Sequence, residues 1–341
     1  MGSKEALYKI AEKLTAISKT IKFSITPLNA AAEQKKFFTS KYRYNPQFEY
    51  KKFTLPAQII DDLNRVEEEI HNAGFPPAIE TACLETISFL KNLYFSSISV
   101  GQQEFTHNVS KLHNWEHKTE GDYSEFLSLK IDHDSESWDA EMIQREFISH
   151  IQSKGLHSWS VRINTIRKNV IFVSPPKKLL SIGSSITRSR KDVKRLALHE
   201  IDTHVYRNEQ KGKILGQLRI FTKRPDNHLL EEGLAVFNEF SSQMTTSRAQ
   251  KVYALRLLAA QHAHLPFAEL FDLLKSHDLS ALTAYITVVR LKRGLGDTSL
   301  PGGYIKDSAY LVGYEMVKAN PSLMENLFVG SPDFIEQLRL L

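Results

Sequence analysis

Apolar side chains recur every three or four residues over long stretches of this chain, which is the spacing of an amphipathic helix. The first stretch covers residues 4–21, and the second covers residues 59–70 around Leu63. A third covers residues 79–94, just after Pro76 and Pro77, and a proline pair is a common start signal for a helix. The first third of the chain is therefore predicted to be mainly helical.

Between residues 159 and 182 the pattern changes to clusters of β-branched and aromatic side chains, broken by Asn164, Asn169 and a second proline pair. This pattern predicts short strands, arranged as a small antiparallel meander. Helical spacing then returns at residues 193–206, 229–240, 248–260, 281–291 and 308–318, with glycine-rich turns between 294 and 303. The expected fold class is α+β, with helices in the majority.

The same pattern predicts two regions, a mainly helical N-terminal region at residues 1–125 and a second domain at residues 126–341. A chain of 341 residues is long enough to bury a large core and a catalytic cleft. The sequence shows no internal repeat and no low-complexity segment.

Composition narrows the possible chemistry. Cys83 is the only cysteine, which excludes an internal disulfide and any cysteine-based metal cluster, so a bound metal must use histidine and carboxylate. No stretch approaches the ~20 apolar residues of a membrane span, and no secretion signal is apparent, which predicts a cytoplasmic protein without a membrane partner. Export by a route that needs no N-terminal signal stays open as an alternative. The net charge of +5 is spread among interleaved acids without a nucleic-acid-binding motif, so no nucleic-acid partner is expected.

The segment KRLALHEIDTH, which ends at His204, carries H-E-x-x-x-H within a predicted helix. Zincin peptidases have H-E-x-x-H, whose two histidines lie on one helix face. The extra residue puts His199 and His204 about 140° apart on an ideal α-helix, too far round to share an ion. One residue looped out as a π-bulge would realign them, and such bulges occur mainly at functional sites. A shared metal therefore requires a distorted helix between Ile201 and Thr203.

Glu200, next to the first histidine, stands where a carboxylate can accept a proton from water without being a ligand. A third ligand could come from LLEEGLA, where Glu231 and Glu232 are adjacent and Gly233 would allow close packing. Acidic residues also favour helix N-termini for electrostatic reasons, so the spacing alone leaves open which glutamate binds, or whether either does.

HEIDTHVYR followed by EEGLA resembles the QEGLA-motif proteins, the family that includes the microtubule-associated tyrosine carboxypeptidases. The resemblance continues in RLKRG at 290–294, DTS at 297–299, PGGYIKD at 301–307 and YL at 310–311, with an N-terminal echo in YNPQFEY at 44–50. These pieces occur in order and span most of the chain, so together they are specific although each is short.

The resemblance implies a mainly helical, zincin-like zinc carboxypeptidase with a small antiparallel sheet beside the active-site helix. In this family the two motif histidines and the glutamate of EGLA bind the metal, and the motif has glutamine at the position of Glu231. His199, His204 and Glu232 are therefore the expected Zn2+ ligands, with Glu200 as general base.

Four further residues bear on this hypothesis. Tyr310 is a candidate to stabilise the oxyanion, or else an aromatic packed on an amphipathic helix. Arg293 and Lys306 flank a turn-rich segment and are candidates to hold a terminal carboxylate, for which a guanidinium is well suited. Asp202 stands where animal members have a small residue, and it could tune the metal or reach a neighbouring histidine.

The expected substrate is the C-terminus of a peptide or protein, with release of an aromatic residue as one option. Two alternatives stay open: a non-catalytic binding protein that keeps the fold, and a zinc hydrolase of non-peptide amides. Tubulin is not assumed as substrate, because the chain lacks a long extension that would bind a filament. The sequence leaves the oligomeric state undefined.

Overall fold

The computed structural model describes residues 3–113, 121–131, 137–225, 227–322 and 332–341. Helices dominate the described residues, and small sheets complete an α+β fold. In chain order the α-helices are α1 (Lys4–Thr20), α2 (Ala30–Thr39), α3 (Gln58–Ala73), α4 (Pro77–Ile98), α5 (Phe105–His113), α6 (Ser124–Leu127), α7 (Ala140–Ser153), α8 (Arg190–Ala197), α9 (Tyr206–Leu215), α10 (Asn227–Ser241), α11 (Ser247–Gln261), α12 (Phe267–Lys275), α13 (Ala281–Lys292), α14 (Ala309–Ala319) and α15 (Pro332–Leu340). A π-helical segment, Leu198–Val205, joins α8 to α9, and short 3₁₀ helices cover Pro175–Lys177, Gly216–Thr222 and Ile305–Ser308.

Helices α1, α3 and α4 confirm the first three helical predictions. The Ser3 hydroxyl caps α1 by accepting a hydrogen bond from the Ala6 amide at 3.2 Å, and Gly74 ends α3 with a left-handed φ of +62°. The apolar faces of the three helices form one core with Leu218, Phe221 and other residues that follow α9. None of the described helices is long and apolar enough to cross a membrane.

A second core lies around Phe37 of α2. Its ring centre lies 5.1 Å from that of Phe267, 4.9 Å from that of Phe271 and 5.2 Å from that of Tyr285. Residues on both sides of the predicted boundary at residue 125 therefore share this core, and the boundary itself stays a prediction.

The strands are β1 (Ser137–Trp138), β2 (Ser160–Asn164), β3 (Ile171–Ser174), β4 (Leu179–Gly183) and β5 (Arg188–Ser189), and β1 pairs with β5. The predicted antiparallel meander is wrong, because the order of the larger sheet is β2-β4-β3, with β4 parallel to β2 and antiparallel to β3. Strand β4 takes the centre because its Leu180 and Ile182 are fully buried, whereas β3 is only half-buried. Residues before β3 fold over the end of β4, where a Cβ on Gly183 would lie 2.3 Å from the Lys168 carbonyl oxygen.

The sheet positions the helix that carries H-E-x-x-x-H. Leu180 and Ile182 share a core with Phe147 of α7 and with Ile201 and Val205 of the π-helical segment. Because Ile201 and Val205 are held against this core, the histidines of the same segment face α10 instead.

Candidate metal centre and active site

The helix with the two motif histidines is distorted as predicted. It is π-helical from Leu198 to Val205, and the Thr203 hydroxyl donates a hydrogen bond to the carbonyl oxygen of Leu198, five residues earlier, at 3.1 Å. Asn238 of α10 donates to the same hydroxyl at 2.9 Å. The wider turn brings the ring centres of His199 and His204 to 5.1 Å from each other, so the five-residue spacing no longer separates them.

Glu232 of α10 faces both histidines. Its Oε2 atom lies 3.5 Å from His199 Nε2 and 3.8 Å from His204 Nε2, and the three potential ligand atoms all lie within 4.8 Å of one another. Within the described part of the chain, this buried oxygen makes no hydrogen bond, which is unusual for a buried polar atom unless an ion uses it. Two imidazoles and one carboxylate are a common donor set for zinc, so these residues fit that metal.

The outer nitrogen of His199 is held by a buried carboxylate. Glu239 is fully buried, and its Oε1 lies 2.7 Å from His199 Nδ1. The same oxygen accepts hydrogen bonds from Arg195 Nη1 at 2.8 Å and from the Tyr253 hydroxyl at 2.9 Å. When His199 Nδ1 carries its proton and donates a hydrogen bond to the Glu239 carboxylate, Nε2 is left unprotonated and can act as a ligand, as in many zinc sites.

The outer nitrogen of His204 is held by the other glutamate of the EEGLA segment. Glu231 Oε1 lies 3.4 Å from His204 Nδ1, and Glu231 Oε2 pairs with Arg207 Nη1 at 2.5 Å. Arg207 is itself buried and donates to Asn227 Oδ1 at 2.6 Å. The two adjacent glutamates therefore have different surroundings, and only Glu232 points between the histidines.

Electrostatics in the site differ for its two key carboxyls. Burial alone would raise the pKa of Glu232, but the nearby imidazoles of His199, His204 and His228 lower it well below its usual range. Burial raises the pKa of Glu200, against the opposing influence of His199 and His204. The histidines thus favour the charged form of Glu232, which is the form that binds a cation, and Glu200 lies within electrostatic reach of the same residues.

Helix α14 crosses α10 so closely that two glycines meet. A Cβ on Gly233 would lie 2.1 Å from the carbonyl carbon of Gly313, and a Cβ on Gly313 would lie 2.0 Å from the Leu229 carbonyl oxygen. This close crossing confirms the expectation for Gly233 and brings Tyr310 to the site, with its ring centre 6.1 Å from that of His199.

Arg293 and Lys306 lie over one aromatic ring, with their charged groups 5.4 Å and 5.9 Å from the ring centre of Tyr304. Arg290 makes a bidentate ion pair with Asp307, which takes up the charge of that carboxylate. Among the described residues, neither Arg293 nor Lys306 forms an ion pair. Lys306 lies within electrostatic reach of Glu232, and Arg293 lies within electrostatic reach of Tyr310.

Residues 44–50, the N-terminal piece of the family pattern, form hydrogen bonds with the turn that follows Arg293. Gln47 Nε2 donates to Asp297 Oδ1 at 2.9 Å, and the Gly294 amide donates to the Tyr50 hydroxyl at 2.7 Å. The buried Glu33 carboxylate accepts from the Gln47 amide and the Tyr44 hydroxyl, each at 2.8 Å. Residues 44–50 thus hold the turn that follows Arg293, so two motif pieces distant in sequence are one structural unit.

Asp202, the departure from the family pattern, points away from the candidate metal ligands His199, His204 and Glu232. Its Oδ1 lies 2.8 Å from Nε2 of His150, which is on α7, and 3.2 Å from Nζ of Lys154, the residue that follows α7. It reaches a neighbouring histidine, as one expectation held, but this is not a motif histidine.

Sequence reasoning overlooked His228 and Glu239. His228 Nδ1 lies 3.8 Å from Glu232 Oε1, and Glu239 supports His199 as described above. Both lie on the Glu232 face of α10, four residues before and seven residues after it, so helical periodicity could have found them.

Residues 35–339 match the family model for the microtubule-associated tyrosine carboxypeptidase. Microtubule-associated tyrosine carboxypeptidase 1 of Rattus norvegicus is 26% identical over 328 residues, which cover 93% of this chain and 61% of the relative. The Homo sapiens protein of the same name is 27% identical over 299 residues, covering 85% and 54%, and the putative tyrosine carboxypeptidase MATCAP2 of Mus musculus is 25% identical over 296 residues, covering 85% and 49%. The chain thus spans only 49% to 61% of the length of these relatives. Since the family model matches most of it, the chain belongs to the microtubule-associated tyrosine carboxypeptidase family.

Proposed function

We propose that this chain is a zinc-dependent carboxypeptidase with a zincin-like active site. The observation that carries the proposal is that the potential ligand atoms of His199, His204 and Glu232 lie within 4.8 Å of one another. The two histidines and Glu200 lie on the π-helical segment, and Glu232 faces them from α10. The family name supports the choice of a peptide C-terminus as substrate.

Zinc held by these three residues would lower the pKa of water and polarise a substrate carbonyl. Glu200 accepts the proton of the attacking water and delivers it to the leaving amine, which is the task of a general base that turns into a general acid. Among the described residues Glu200 makes no hydrogen bond or ion pair, so its carboxylate is available for this role.

The Tyr310 hydroxyl donates a hydrogen bond to the substrate oxygen as negative charge develops on that oxygen. Two contacts support this role: its ring lies beside that of His199, and the Arg256 guanidinium lies 4.8 Å from its ring centre. Burial raises the pKa of Tyr310, so the hydroxyl stays protonated and able to donate.

Arg293 and Lys306 hold the terminal carboxylate of the substrate. They are suited to it because Asp307 pairs with Arg290 and leaves them without a carboxylate of their own among the described residues. Binding of the terminal carboxylate there limits cleavage to the last peptide bond. The released residue is proposed to be aromatic, with tyrosine as the first choice from the family name.

A digest of a peptide library, analysed by mass spectrometry, tests the proposal. Peptides with a free C-terminus should lose one residue, and the same peptides with a C-terminal amide should be poor substrates. Arg293→Ala should lower kcat/KM for free-ended peptides by about 10- to 100-fold, because charge-assisted hydrogen bonds are lost, and should change the amidated ones far less.

Lys275→Ala is a matched control for this experiment, because Lys275 is an exposed cation at the end of α12. Its kcat/KM should equal that of the unchanged chain. Equal cleavage of free and amidated peptides, or internal cuts without preference for the end, would contradict carboxypeptidase action.

A further inference from the structure

Tyr253 of α11 contacts two parts of the proposed active site at once. It is 4% exposed, its hydroxyl donates to Glu239 Oε1 at 2.9 Å, and it accepts from Arg195 Nη1 at 3.0 Å. Its ring is nearly parallel to that of Tyr310, at 13°, with 4.9 Å between the ring centres. One side chain therefore touches the group that holds His199 and also the proposed oxyanion donor.

The hydroxyl of Tyr253 restrains the carboxylate behind His199. Glu239 Oε1 accepts from three donors, whereas its Oε2 makes no hydrogen bond within the described part of the chain. The orientation of the carboxylate thus depends on the donors to one oxygen. Loss of the Tyr253 hydroxyl removes one of them and allows the carboxylate to rotate, which loosens the His199 ring.

The ring of Tyr253 restrains Tyr310 in a different way. Offset-stacked aromatic rings are favourable beyond the area they bury, and a flat neighbour limits the tilt of the ring beside it. The described contacts of the Tyr310 ring include Tyr253, His199 and Arg256, so Tyr253 supplies a large flat surface next to it.

We infer that Tyr253 is a positioning residue that couples the metal ligand His199 to Tyr310. Its hydroxyl acts on His199 through Glu239, and its ring acts on Tyr310 by stacking. The second part rests on the proposed function of Tyr310, whereas the first concerns metal binding alone.

Zinc affinity tests the hydroxyl part and needs no peptide substrate. Tyr253→Phe should raise the zinc dissociation constant about two- to tenfold, measured by competition with a chromophoric chelator, because the hydrogen bonds of the hydroxyl with Glu239 and Arg195 are lost while the ring stays. Tyr285→Phe is the matched control, since the buried Tyr285 hydroxyl makes no hydrogen bond in the described structure, and it should leave the affinity unchanged. An unchanged affinity in Tyr253→Phe would overturn the hydroxyl part.

Peptide hydrolysis at saturating zinc tests the ring part. Tyr253→Leu should lower kcat on the order of tenfold below that of Tyr253→Phe, because the Tyr310 ring then lacks the stacked ring that fixes its orientation. In the Tyr310→Phe background the same change should have no further effect, since the hydroxyl being positioned is already gone. An equal loss in both backgrounds would show general damage and overturn the coupling. A chain that binds zinc but cleaves no peptide would contradict the proposed function and the ring part, while the zinc measurements would still decide the hydroxyl part.

Discussion

The N-terminal core formed by α1, α3 and α4 and the candidate metal centre differ in the chemistry of their buried side chains. Helices α1, α3 and α4 bury apolar faces, and none of their charged side chains is buried. The π-helical segment and its neighbours α8 and α9 instead bury Asp192, Arg195, His199 and Arg207, and α10 adds Glu239. These buried charges form ion pairs, and buried ion pairs contribute little net stability compared with apolar side chains of similar size. Their presence in the second region therefore indicates a role in binding or chemistry.

The two regions also differ in how far their geometry departs from regular helices. In the N-terminal core each helix has ordinary α geometry and any side chain of similar size and polarity would serve. In the metal centre the helix widens into a π turn, two glycines allow α10 and α14 to touch, and the buried charges form specific pairs. Changes in the first region should therefore affect folding, and changes in the second should affect binding and chemistry.

The largest expected effect comes from Glu200→Gln in the metal centre. Hydrolysis should fall by about 10²- to 10⁴-fold, because the amide keeps the shape but cannot accept a proton. The melting temperature should not fall, since burial raises the pKa of this carboxyl and its charge is therefore no benefit to the folded state. Kinetics and thermal unfolding on the same preparation check this, and near-normal turnover would remove Glu200 from the mechanism.

Leu63→Ala should show the opposite behaviour in the N-terminal core. Leu63 is fully buried in the cluster of α1, α3 and α4, so the change should lower the free energy of unfolding by about 2–5 kcal/mol. Below the unfolding transition, kcat and the zinc content of the folded chain should be unchanged. Loss of zinc without loss of stability in Leu63→Ala would contradict the separate roles of the two regions.

Smaller effects are expected for alanine substitutions at two glycines, one at the α10–α14 crossing and one in α9. Gly233→Ala should destabilise the chain by about 1–3 kcal/mol and weaken zinc binding, because the new Cβ would lie 2.1 Å from the Gly313 backbone beside Glu232. Gly212→Ala in α9 meets nothing within 4 Å and should stabilise the chain by about 0.4–1 kcal/mol. Denaturant unfolding and zinc titration of both variants provide the check, and similar effects of the two would refute the close-crossing argument.

Local sequence signals predicted the elements that depend on them. The apolar spacing around Leu63 predicted α3, and the five-residue spacing of His199 and His204 predicted the π turn, because both are properties of one helix. Choosing Glu232 over Glu231 needed the family resemblance, since spacing leaves adjacent glutamates equivalent. The structure separates them by their partners on another helix.

Features that depend on distant residues escaped prediction. Helix α2 is held by Phe37, whose neighbours Phe267 and Tyr285 lie more than 200 residues away in sequence. The central place of β4 depends on burial of Leu180 by the π-helical segment, so a meander was expected where a mixed sheet forms. Helical periodicity places Glu239 on the Glu232 face of α10, but its contacts with Arg195 and Tyr253 on other helices could not be predicted from that spacing.

The central claim is that His199, His204 and Glu232 hold one zinc ion while Glu231 only supports it. Metal analysis by mass spectrometry of the purified chain, Glu232→Gln and Glu231→Gln tests this directly. About one zinc per chain is expected in the unchanged protein and in Glu231→Gln, which keeps an acceptor for His204, and little or none is expected in Glu232→Gln. Absence of zinc from the unchanged protein after incubation with the metal, or full zinc content in Glu232→Gln, would contradict the account.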